Sequence, residues 1–153
     1  MNPEYKQATV QNVDLLTQLR IQVLRAANNL PHSIDMASVA ASTKKYYLRH
    51  LPQGSHIAYL VYDGSIVVGT GGVSFYQVMP TFHNPSGWKA YIMNMYTLPA
   101  YRRKGIARKT LDLLVAASKT RKISFISLEA TEMGKPLYEK YGFLKIESEM
   151  ILP

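Results

Sequence analysis

The chain has 153 residues, a formal net charge of +8 and no cysteine. The missing cysteine excludes a disulfide framework, thiolate catalysis and Cys-ligated zinc. A hydrophobic content of 47% with 18% charged residues is that of one folded domain, 1–153, rather than a disordered chain, and the excess of cations favours anionic partners.

In chain order, residues 5–10 read as a short first strand. From Asn12 the pattern becomes helical, with Val13, Leu16, Leu19, Val23 and Ala27 at steps of three and four and Pro31 just beyond. Residues 38–51 form a second, weaker helical pattern, and NNLPHSIDM between the two reads as a loop. HIAYLVYD (56–63) and SIVVGTGGVSFYQV (65–78) read as strands joined at Asp63-Gly64, a strong hairpin signal. The GTGG of 69–72 marks a bulge or a close backbone approach. KAYIMNMYTL (89–98) is apolar almost throughout, as a central strand is, and Pro99 stops it. A helical stripe of Ala107, Leu111, Leu114 and Val115 follows, running to about 119. KISFISLEA (122–130) is the next strand. Gly134 to Tyr141 reads as a short helix ended by Gly142, and FLKIESEMIL is expected to add one or two edge strands. The order predicts an α/β (α+β) mixed sheet, mostly antiparallel, flanked by about four helices.

The opening MNPEYKQATV lacks the apolar core of a signal peptide, and no run of about 18 apolar residues occurs. The expectation is a cytoplasmic protein with no membrane partner. The four histidines, His32, His50, His56 and His83, show no metal-binding spacing, so no metal is expected. His32 and His83 fall in loops, and Tyr46, Tyr47, Phe82 and Trp88 are candidate walls of an acceptor pocket or ordinary packing.

YRRKGIARKTL (101–111) surrounds Gly105 with Arg102, Arg103, Lys104, Arg108 and Lys109, where a strand gives way to a helix. Backbone N–H groups at a helix start, together with the helix dipole, favour phosphate. Cations there oppose that dipole, so they stabilise a ligand rather than the helix. The competing reading is a plain basic helix end. No Walker loop occurs, and GTGGVS is followed by strand rather than by the helix a dinucleotide fingerprint requires.

Two segments resemble the GNAT superfamily of N-acetyltransferases. Arg102-Arg103-Lys104-Gly105-Ile106-Ala107 matches its [Q/R]-x-x-G-x-[G/A] signature, and LYEKYGF (137–143) its L-Y-x-K-x-G-F hallmark. A helix and a strand separate the two, as in the family. The resemblance covers about 55–152 and is nearest to small bacterial members of unassigned substrate. It implies a GNAT-like fold and acetyl-CoA as co-substrate, with its pyrophosphate cradled by the backbone of residues 102–107. It also implies that the pantetheine arm runs beside Met95, Tyr96 and Thr97, on a strand splayed away from 122–130.

By the same resemblance Tyr138 is the general acid that protonates the leaving thiolate; the alternative is a core tyrosine. Tyr141 is the backup. Many relatives carry a glutamate on the central strand, where this chain has Asn94. An amide can hold water or the acceptor but cannot take a proton. Glu129 and Glu132 are the nearest carboxylates in sequence, and a water chain is the other route. The acceptor is a small-molecule or peptide amine. A homodimer through the terminal strand edges is the oligomeric expectation. An acyl-CoA-binding sensor without catalysis is the first alternative. The second is a basic nucleic-acid-binding module, against which stands the absence of any nucleic-acid motif, so no nucleic-acid partner is expected.

Overall fold

The computed structural model describes residues 1–153. One five-stranded sheet has the order β1-β2-β3-β4-β5, with β1 Glu4–Gln7, β2 His56–Asp63, β3 Ile66–Gln77, β4 Trp88–Thr97 and β5 Phe125–Leu128. All neighbours are antiparallel except β4 and β5. The helices are α1 Val13–Ala27, α2 Ala37–Gln53, α3 Ile106–Thr120 and α4 Lys135–Tyr141. The expected mixed α/β sheet with four helices is present, with element boundaries shifted by a few residues.

The first strand ends earlier than 10 because Thr9 starts a tight 3-10 turn. Its side chain accepts from Gln11 N–H, and Asn12 reaches back to Thr9 N–H at 2.9 Å. A short side chain that captures backbone donors competes with strand pairing.

Period-two alternation divides the sheet into two faces. Ala58 and Leu60 of β2 pack with Val13 and Leu16 of α1 and Tyr47 of α2. Val73 and Phe75 of β3 and Ala90 and Ile92 of β4 pack instead with Leu111, Leu114 and Val115 of α3 and with Tyr138 of α4. On α3 the buried positions Ile106, Thr110, Leu111, Leu114, Val115 and Ser118 fall on one stripe. The two buried hydroxyls, Thr110 and Ser118, each donate to the carbonyl four residues back, at 2.9 Å, so neither is left unpaired. Small residues there let α3 approach the sheet closely. A Cβ at Gly71 would lie 2.5 Å from Met95 Sδ and 2.8 Å from Thr110 Cγ2. Of the two alternatives expected at the glycine run, both occur: a close approach, and a register shift between Thr70 and Gly72 against β4.

The expected terminal strands do not form. Residues 142–153 carry no helix or strand, and Leu144, Ile146, Met150, Ile151 and Leu152 are exposed. Apolar alternation identifies a chain able to pair; it does not supply the partner edge. β5 offers only four residues, and no backbone hydrogen bond joins 144–153 to it. The sheet edges are thus β1 and β5, so of the terminal segments only β1 offers a strand edge.

Candidate functional site

β4 and β5 pair only from Lys89↔Phe125 to Ile92↔Leu128. Beyond Ile92, β4 continues to Thr97 while β5 stops, so the flank of Met93–Thr97 on that side has no strand partner. Asn94 sits at the divergence with φ +61, a left-handed conformation that few side chains adopt. On its other flank β4 stays paired with β3 on both sides of this point, through Met93↔Gly72 and Tyr96↔Thr70. The strand is therefore held rigidly from one side and open on the other.

β4 runs into a 3-10 turn at Pro99–Tyr101 and then into α3. Arg103 (φ +64) and Gly105 (φ +83) are both left-handed. This curls the chain so that the N–H groups of Arg103, Lys104, Gly105, Ile106, Ala107 and Arg108 donate to nothing in the protein. A concavity of successive free amides at a helix N-terminus is an anion seat. No acidic residue lies in the first turn of α3, and a Cβ at Gly105 would meet no protein atom within 4 Å. That space is open to a ligand.

The basic side chains around this turn are not equivalent. Arg102 Nε donates to Thr97 O at 3.0 Å and its guanidinium lies over Tyr96, which ties the turn to the end of β4. Arg108 pairs with Asp112 at 3.6 Å and stacks on Tyr141 at 4.5 Å. Lys104 lies over the Tyr101 ring. Arg103 and Lys109 are exposed and in no ion pair. At the end of β4 the Thr97 hydroxyl is buried without a partner, a condition that a bound polar group relieves.

Tyr138 is 8% exposed and belongs to the same cluster as Ile92, with Met95 and Leu128 packed against it. Burial raises its phenol pKa, so the hydroxyl stays protonated at neutral pH. It makes no side-chain hydrogen bond within the chain, whereas the Tyr141 hydroxyl donates to Asp112 Oδ1 at 3.0 Å. Of the two tyrosines on α4, only Tyr138 combines burial beside β4 with a free hydroxyl.

On the α1–α2 face of the sheet lies a polar cluster that joins the candidates Tyr46, Tyr47 and Asn94 to Arg20, His56 and Ser74, to which the sequence assigned no role. Arg20 Nη1 donates to Asn94 Oδ1 at 3.2 Å. The Tyr46 hydroxyl contacts Ser74 Oγ at 2.6 Å and His56 Nδ1 at 3.0 Å. Burial pushes the Tyr47 phenol up to about 12, with the Arg20 charge and the Asn94 amide pulling the other way. His56 is held down at about 4, first by burial and then by the charges of His50 and Arg20; its Nε2 is buried without a partner. Arg20 was legible in principle: it occupies the buried stripe Leu16–Arg20–Val23, where a charge is out of place. His56 and Ser74 carry no comparable signal, because strand alternation alone does not reveal which polar residues meet.

Other candidates lie apart from this cluster. Glu129 and Glu132 are exposed beyond β5; the Tyr91 phenol, raised mainly by burial, also feels Glu129. Phe82 is 91% exposed and meets the His83 ring edge-on. Trp88 lines a small surface cavity with Phe75, Arg121 and Ile123. His32 lines an open cavity along α1 with Gln18, Ile21, Gln22 and Arg25. No helix is long and apolar enough to cross a membrane.

The model of the acetyltransferase (GNAT) family matches residues 24–143. A crystal structure of a predicted acetyltransferase with acetyl-CoA from Clostridium acetobutylicum is 30% identical. It aligns over 99% of this chain and 96% of its own with a TM-score of 0.92. A GCN5-related N-acetyltransferase from Ralstonia eutropha JMP134 is 26% identical over 99% and 98%, with a TM-score of 0.84. An aminoglycoside acetyltransferase from an uncultured soil metagenomic sample, 20% identical over 100% and 99% with a TM-score of 0.74, shares the fold. No curated protein matches the sequence. Family model and structural likeness agree: the chain belongs to the GNAT family of acetyltransferases and is an acyl-transferring enzyme.

Proposed function

We propose that the protein is an acetyl-CoA-dependent N-acetyltransferase that acts on a primary amine by direct transfer. The observation that carries this reading is the run of unpaired N–H groups at 103–108, set at the end of a strand whose flank is also unpaired. The residues fit the co-substrate on three counts. The turn offers donors and cations to a diphosphate, with Arg103 and Lys109 unpaired. The flank of Met95, Tyr96 and Thr97 offers backbone groups to an amide-bearing arm, and the orphaned Thr97 hydroxyl offers a further partner. Open space at Gly105 admits the ligand.

Acetyl-CoA supplies a thioester. The chain positions it through the turn and the β4 flank, and a backbone N–H near Met95 or Tyr96 faces the charge that develops on the acyl oxygen. The new C–N bond forms as the C–S bond breaks, and the Tyr138 hydroxyl gives its proton to the departing sulfur. Its raised pKa keeps that proton in place until a thiolate appears. An acceptor amine with a pKa near 10.4 must lose a proton before attack. Asn94 cannot accept one, and its amide is occupied with Arg20. Glu129, at the end of β5 and within electrostatic reach of Tyr91, is the candidate base, reached through water. An acyl-CoA-binding sensor is the second reading, favoured by the lack of a carboxylate on β4.

Calorimetry with acetyl-CoA, followed by thiol release over a panel of amines, tests the proposal. Binding with turnover is expected; binding without turnover on any amine supports the sensor. Tyr138→Phe should cut turnover by about 10²-fold while coenzyme affinity holds. A fully active Phe variant would end its role as the acid.

A further inference from the structure

The α1–α2 face carries a cation without a counterion. Arg20 lies on the buried stripe of α1, half-buried between that helix and the β4 divergence. Its one hydrogen bond leaves four of the five guanidinium N–H groups uncommitted. It takes part in none of the four ion pairs, all of which lie at more exposed positions. Its neighbours are the Tyr47 and Tyr91 phenols and the His56 imidazole, none of them negative at neutral pH.

The elements that build this face cannot supply a counterion. α2, β3 and β4 contain no Asp or Glu. Asp14 of α1 pairs with Lys44 at 3.1 Å, and Asp63 of β2 accepts from the Tyr101 hydroxyl at the far end of the sheet. In the loop before α2, Asp35 accepts from Ala37 N–H. Glu129 and Glu149 approach from beyond β5, on the side of Tyr91, and neither pairs with Arg20. Partly desolvated charges are retained where something compensates them. A second orphan lies in the same cluster: His56, 4% exposed, has an Nε2 with no partner.

We propose that Arg20 holds an anionic group of the acceptor, so that the substrate is a primary amine bearing a carboxylate or a phosphate. This rests on the transferase reading above. Arg20 grips the side chain of Asn94, at the point where β4 leaves β5. An anion on its free N–H groups therefore brings the acceptor against that divergence from the α1–α2 side. The coenzyme turn at 103–108 begins α3, which packs on the opposite face. The planar guanidinium suits two-point binding of a carboxylate or phosphate. The same uncompensated charge repels polycationic amines.

The test uses matched amine pairs with the full chain and acetyl-CoA: α-amino acids against their carboxamides, and phosphorylated amino sugars against the unphosphorylated forms. Thiol release should favour the anionic member of one pair, and that pair identifies which anion is used. Arg20→Gln should raise its KM by about 30-fold or more and raise that of the neutral member several-fold less. Arg20→Lys should recover part of the loss. Unaltered calorimetry with acetyl-CoA shows that both variants are folded. Equal use of neutral and anionic amines, or an equal loss on both members in Arg20→Gln, overturns the inference. If no amine releases thiol, the transferase reading fails separately. Calorimetry of the anionic amines on the coenzyme-loaded protein then decides. Binding to the parent chain but not to Arg20→Gln upholds the anion site, and no binding to either overturns it.

Discussion

The two polar regions beside β4 are built in opposite ways. The turn at 103–108 is contiguous: six neighbouring residues present free N–H groups, shaped by two left-handed positions. The α1–α2 face is assembled from Arg20, Tyr46, Tyr47, His56, Ser74 and Asn94, drawn from five elements. The first offers backbone donors and depends little on most of its side chains. The second works only through side chains. A backbone site suits a co-substrate common to a family, and a side-chain site suits an acceptor particular to one chain.

The largest test of this contrast is at Gly105. A saturating ligand at a hundred times its Kd stabilises a protein by about 2.7 kcal/mol. Gly105→Val should abolish that protection by acetyl-CoA, because the branched side chain occupies the ligand's space. The unliganded chain should lose only about 1–2 kcal/mol, from left-handed strain, since no protein atom is displaced. Arg103→Ala, which changes a side chain but no amide, should weaken binding far less. Thermal unfolding with and without acetyl-CoA reads both. Protection that survives in Gly105→Val would remove the turn from coenzyme binding.

The same contrast explains what the sequence disclosed. The turn was legible because spacing within six residues carries it, and the strand-to-helix step around it followed from periodicity. The position of Tyr138 came with a second local motif, but its freedom from hydrogen bonds did not. The splay of β4 was implied only by resemblance, since strand pairing depends on where β5 stops. The Arg20–Asn94 contact spans 74 positions, and no local pattern encodes it. The tail from 142 failed for the related reason that alternation says nothing about a partner edge.

A pH effect should belong to the side-chain region. An imidazole held at about 4 in the fold against 6.5 unfolded takes its proton first in the unfolded chain. The stability is then complete above pH 6.5 and falls as pH drops toward 4, by about 3 kcal/mol for this group. Urea unfolding at pH 7.5 and 4.5 should show that loss, and His56→Gln should lose less between the same two values. An equal decline in both proteins would mean that His56 titrates normally.

The smallest effect separates the two tyrosines of α4. Tyr141→Phe removes one partly exposed hydrogen bond to Asp112 and keeps the ring under Arg108. It should cost no more than about 1 kcal/mol of stability and leave turnover within about twofold, against the hundredfold expected at Tyr138. The comparison isolates proton donation from packing, because both changes delete one hydroxyl from the same short helix. A large loss at Tyr141 with little at Tyr138 would move the acid to a phenol already donating to a carboxylate. The Asp112 and Arg108 pair would then become part of the proton path, rather than the support for the start of α3 that their contacts describe.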